Sequence, residues 1–146
     1  MNNQKHKPLL VALKAEKEAY GLYSKMAHQS CNPTGKKMFA MLAKQEKSHI
    51  DKIVKQLKKE KMSVDTAEIK EKASLLSEHD FSDCSLSDLE VIEKALEDER
   101  HAFAFYRRLV EESKDVTQVK LFAELMADEE HHMETLEDEA LRIKKK

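Results

Sequence analysis

Two copies of Glu-x-x-His stand 83 positions apart, Glu46–His49 in "KQEKSHI" and Glu129–His132 in "ADEEHHMET". On a helix, residues i and i+3 are neighbours on one face, so each pair presents a carboxylate and an imidazole together. Oxygen and imidazole donors in this combination suit divalent iron or manganese, and a purely thiolate site is absent. One such pair means little in a chain with 28 acidic residues. Here each pair has a further glutamate thirty positions upstream, Glu16 and Glu99, and all six residues obey one internal repeat.

Shifting the chain by 83 positions lays Leu13 on Leu96, Glu16 on Glu99, Tyr23 on Tyr106, Phe39 on Phe122, Glu46 on Glu129 and His49 on His132, without a gap. Twelve of the 37 positions from Leu13 to His49 are identical, which makes each half a copy of one unit. The repeat selects Glu129 and His132 over the adjacent Glu130 and His131. Four buried carboxylates without compensation would cost several kcal/mol. Two divalent cations balance their charge, and two neutral imidazoles complete a ligand set. One Glu from each of two helices plus Glu-x-x-His from each of two others is the pattern of di-iron and di-manganese sites in ferritin-like bundles. A metal-free network of buried ion pairs would need basic partners on the same stripes, and these carry none.

Four helices must position these residues. The first is expected over about Pro8–Ser30, where "CNPTGKK" ends it, and the second over about Lys36–Lys61. The third follows "SDCSLSDLE", with Ser87 and Glu90 as a capping box, and runs to about Lys114; the fourth runs from about Gln118. Each carries an apolar stripe stepping by three or four, interrupted midway by Glu or by Glu and His. Glu16 and Glu46 are equidistant from position 31, and Glu99 and Glu129 from position 114, so all six groups fall at one level of two antiparallel hairpins. The expected fold is all-α: a ferritin-like antiparallel four-helix bundle, with repeat halves at about 8–61 and 87–144 in a single domain over 1–146. A crossover at about 62–86 joins them, with a short helix in "TAEIKEKASLLS".

Composition agrees. Two Gly, two Pro and no Trp leave little material for sheets and turns, and 37% of the residues are charged. A net charge of −2 with mixed signs excludes a nucleic-acid patch. No apolar run, Leu9–Leu13 included, is long enough for a membrane span or a signal segment, so a soluble, cytoplasmic protein is expected. Cys31 and Cys84, with no CxxC, read as reduced thiols, and two cysteines cannot build a rubredoxin or zinc-ribbon module. Tyr23 and Tyr106 lie seven positions beyond Glu16 and Glu99. Their hydroxyls either hold a ligand carboxylate or face the oxidant, or the rings are core aromatics with satisfied hydroxyls.

The segments "AEKEAYGLY", "KQEKSHI", "EDERHAFAFY" and "ADEEHHMETL" resemble the ligand-bearing segments of the rubrerythrin family, over nearly the whole chain apart from the crossover. The resemblance implies six metal ligands, Glu16, Glu46, His49, Glu99, Glu129 and His132, with Glu46 and Glu129 bridging and Glu16 and Glu99 terminal. It implies a non-haem centre of two iron ions, with manganese or a mixed pair as alternatives. The implied reaction reduces hydrogen peroxide or dioxygen with electrons from a separate donor protein, in a homodimer. Ferroxidase or iron-handling activity and a non-enzymatic metal-binding scaffold are the competing readings. One departure is Ala102, which stands where the family has an extra glutamate linked to peroxide reduction.

Overall fold

In the computed structural model, residues 5–62 and 84–145 are described. They form four helices: α1 (Lys7–Gln29), α2 (Pro33–Lys59), α3 (Cys84–Glu112) and α4 (Val116–Lys144). The two turns within the hairpins are built alike. Ser30 Oγ accepts from Asn32 N–H at 3.3 Å, and Ser113 Oγ accepts from Asp115 N–H at 3.3 Å. Asn32 then caps α2 by accepting from Thr34 N–H at 3.0 Å, while Asp115 caps α4 by accepting from Thr117 N–H at 3.0 Å and Gln118 N–H at 3.1 Å. Each such cap contributes about 1 kcal/mol.

Two boundaries differ from expectation. Pro33 opens α2 rather than breaking the chain, because its missing N–H has no helical partner at the first position. Gly35 follows inside the first turn, where a Cβ would lie 3.0 Å from Ser30 Oγ. Helix α3 is already helical at Cys84, so Ser87 lies inside the helix and not at the residue preceding it. The short helix expected in "TAEIKEKASLLS" lies outside the described residues.

α1 packs on α2 and α3 on α4, while the hairpins meet through α2 with α4 and, more loosely, α1 with α3. Apolar side chains form two plugs. One joins Leu9 and Leu13 to Ile53, Leu57, Leu109 and Phe122. The other joins Met26, Phe39, Leu42, Ile92, Leu96 and Leu136. This membership sets the helix directions: α1 runs antiparallel to α3 and α2 to α4. The end of α2 and the start of α3 therefore lie at opposite ends of the bundle, as a long crossover requires. A fully buried side chain such as Leu57 contributes about 1.5–3 kcal/mol.

Cys31 is disulfide-bonded, which overturns the expectation of two reduced thiols. The chain's only other cysteine is Cys84. The physical reason is proximity: Ser30 Oγ donates to Asp88 Oδ2 at 2.7 Å, which brings the α1–α2 turn against the first turns of α3. Among the described residues, no helix is long and apolar enough to cross a membrane.

Candidate metal centre

Between the two apolar plugs lies one polar layer. Glu16, Glu46, His49, Glu99, Glu129 and His132 are each at most 3% exposed. Every one continues the inward stripe of its helix, with Leu13 and Tyr23 around Glu16, Leu42 and Ile53 around Glu46 and His49, and Leu125 and Leu136 around Glu129 and His132.

The layer resolves into two groups. Glu16, Glu46, His49 and Glu129 form one, and Glu46, Glu99, Glu129 and His132 the other; within each, the candidate ligand atoms lie within 4.8 Å of one another. Glu46 and Glu129 belong to both. His49 Nδ1 lies 3.3 Å from Glu16 Oε2, 3.3 Å from Glu46 Oε1 and 3.4 Å from Glu129 Oε1. His132 Nδ1 lies 3.2 Å from Glu46 Oε1, 3.6 Å from Glu99 Oε1 and 3.7 Å from Glu129 Oε2. The two imidazoles stack at 5.6 Å.

The tyrosines cross between the hairpins. Tyr23 of α1 donates to Glu99 Oε1 of α3 at 2.7 Å, and Tyr106 of α3 donates to Glu16 Oε1 of α1 at 2.7 Å. Burial, reinforced by the surrounding carboxylates, raises both phenol pKa values well above 10, so both stay donors at neutral pH. Phe39 stacks on Tyr23 and Phe122 on Tyr106, each at 6.1 Å, which holds the rings in place.

Two residues that sequence reasoning missed complete the layer. The outward nitrogen of His49, Nε2, lies 2.9 Å from Asp128 Oδ2, and that of His132 lies 2.5 Å from Gln45 Oε1. Gln45 and Asp128 occupy matching positions of the 83-position repeat but differ in type, so the repeat did not single them out.

The electrostatics are those of a site short of positive charge. Burial, with the charges of Glu16 and Glu129, raises the Glu46 pKa well above 4.5. Burial alone would lower His49, but the facing carboxylates of Glu129, Glu16 and Glu46 outweigh it and raise the imidazole far above 6.5. Burial alone would raise Glu129, but the facing imidazoles of His132 and His49 lower it below 4.5. Glu46 Oε1, Glu99 Oε2, Glu129 Oε1 and His132 Nδ1 are buried without a hydrogen-bond partner. Buried polar atoms normally have one. Orphans converging on one layer from oxygen and imidazole donors fit divalent cations of the iron and manganese type.

A cleft of about 860 Å³ between α1 and α3 reaches this layer. Apolar residues such as Ala19, Leu22, Ala102 and Phe105 line it together with charged ones, and Glu16, Glu99, Tyr23 and Tyr106 are among its walls.

Fold and site together define a ferritin-like four-helix bundle with a dinuclear carboxylate site made of two adjacent buried Glu/His groups. The Rubrerythrin family model matches residues 7–140, and the chain belongs to that family. A solved structure described as a dodecameric thioferritin, the bacterioferritin-related protein from Bacteroides fragilis, superposes with a TM-score of 0.77 at 22% identity. The match covers 98% of this chain and 88% of that one, and shows a shared fold. No curated protein matches the chain.

Proposed function

We propose that the six buried residues bind two iron ions and that the protein reduces hydrogen peroxide or dioxygen with electrons from a separate donor protein. The observation that carries this reading is the sharing of Glu46 and Glu129 between both Glu/His groups. Carboxylates common to both groups would serve both ions, with Glu16 and His49 completing the donors for one and Glu99 and His132 for the other. Bound iron would supply Lewis acidity and two redox equivalents.

The chain's own side chains do the rest. Glu46 and Glu129 would hold both ions from between the hairpins. Tyr23 and Tyr106 hold Glu99 and Glu16 in orientation, and their protonated hydroxyls are the buried proton donors closest to these carboxylates. The apolar plugs keep bulk water from both ends of the layer, while the α1–α3 cleft admits a small oxidant.

A second reading, iron oxidation and handling, draws on Ala102, which supplies no extra carboxylate at the cleft, and on the structural relative described as a thioferritin. Anaerobic loading with ferrous iron followed by peroxide, with an added reductant, separates the two. Repeated turnover with re-reduction supports peroxide reduction; one cycle with retained ferric product supports iron handling. Binding of neither iron nor manganese would overturn both metal readings. A homodimer is the proposed minimal assembly, and the dodecamer described for the relative makes larger closed assemblies an outcome that size-exclusion chromatography with light scattering would read.

A further inference from the structure

The repeat makes the two halves of the metal layer nearly equivalent, ligand for ligand. It fails at one place that touches both histidines: Asp128 stands where the repeat has Gln45. His49 Nε2 meets the Asp128 carboxylate at 2.9 Å, whereas His132 Nε2 meets the Gln45 amide oxygen at 2.5 Å. In both rings Nδ1 faces the carboxylate layer, so Nε2 carries the proton given to the outer partner whenever Nδ1 serves as a metal donor. An anionic acceptor draws that proton more strongly than a neutral amide and makes the opposite nitrogen the better electron donor.

We propose that Asp128 and Gln45 are positioning residues that make the two metal positions unequal. The ion held by Glu16 and His49 binds more tightly and is the harder of the two to reduce. The ion held by Glu99 and His132 is the more weakly bound and the more easily exchanged. This inference rests on the di-metal reading above. Both outer residues reach the solvent side of the layer, with Asp128 43% exposed, so their substitution leaves the apolar plugs untouched.

Binding isotherms with manganous ion alone, on metal-free protein, test it. The native chain is expected to bind two ions in separate steps. Asp128→Asn, which keeps an acceptor and removes the charge, should weaken the tighter step by about 10-fold or more and bring the two steps together. Gln45→Glu should strengthen the weaker step and also bring them together. The double variant, Gln45→Glu with Asp128→Asn, should restore the separation that each single change removes. A residue needed only for folding would not show that reciprocity. Two ions bound with steps that neither substitution alters, or both steps weakened equally by Asp128→Asn, would overturn the inference and leave the di-metal reading standing. No binding by the native chain would overturn both.

Discussion

Glu46→Gln should stabilise the metal-free protein and destabilise the metal-loaded one. Glu46 is 1% exposed, its Oε1 has no hydrogen-bond partner, and burial with the charges of Glu16 and Glu129 raises its pKa well above 4.5. At neutral pH the folded chain must either keep that charge or take up a proton there, and glutamine removes both costs at the same volume. Replacing a buried ion pair by neutral groups of similar volume is neutral or gains about 1–4 kcal/mol, and here Glu16 and Glu129 remain to face the two imidazoles when Glu46 loses its charge. The new amide must still find acceptors, which Glu16 and Glu129 offer, so the lower half of that range applies, about 1–2 kcal/mol. At about 2–4 °C per kcal/mol, the melting temperature in chelator should rise by about 2–8 °C. With metal the sign reverses. Each ion at a hundredfold excess over its Kd adds about 2.7 kcal/mol to the native chain, and the variant loses a donor shared by both positions. Scanning calorimetry in chelator and in excess manganous ion would show the two orders of stability. Most substitutions simply destabilise, so a crossing is diagnostic. A variant less stable than the native chain in chelator, or raised as much by metal, would refute the reasoning.

Tyr106→Phe and Tyr23→Phe each remove a 2.7 Å bond to a buried carboxylate, and each should cost about 1–3 kcal/mol in the metal-free state and about 10-fold in metal affinity, read by thermal melts and metal titration. Metal-free stability should fall as pH rises from about 5 to 8. Glu46 and His49 both have raised folded pKa values, so their contributions are complete below their unfolded values of 4.5 and 6.5 and are lost as pH climbs towards the folded ones. Glu129 runs the other way, but its lowered pKa acts only below 4.5. Metal replaces those protons, so the loaded protein should show a flatter profile and release protons on loading, measurable by calorimetry in buffers of different ionisation enthalpy. Cys31→Ser should lower stability by about 2–4 kcal/mol, and a strong reductant should bring the native chain to the same melting temperature.

The six residues of the layer were legible because ionisable groups interrupted otherwise apolar stripes, and because the repeat chose among neighbours such as Glu129 and Glu130. Gln45 and Asp128 were not, since they lie off the stripe and partly in solvent, where a polar residue needs no explanation. The start of α2 was misjudged because the residues that stop one helix, Asn32 and Pro33, are also those that cap and open the next. The disulfide at Cys31 was hidden for a different reason: periodicity orders residues along a helix but does not say which turn meets which helix start. The tyrosines show the same limit. Seven positions along a helix is about 10.5 Å, too far for Tyr23 to reach Glu16, so the partner had to lie on another helix, and only the packed bundle identifies it as Glu99.

That exchange of tyrosines makes the hairpins mutually dependent. Each supplies the hydroxyl that steadies the other's upstream glutamate, and each contributes one of the two shared carboxylates. Neither hairpin holds a complete half-site, so two would have to associate before either ion found its full set of donors. One chain that carries both hairpins keeps the two halves at a fixed one-to-one ratio and can hold different residues at matching positions, as it does at Gln45 and Asp128.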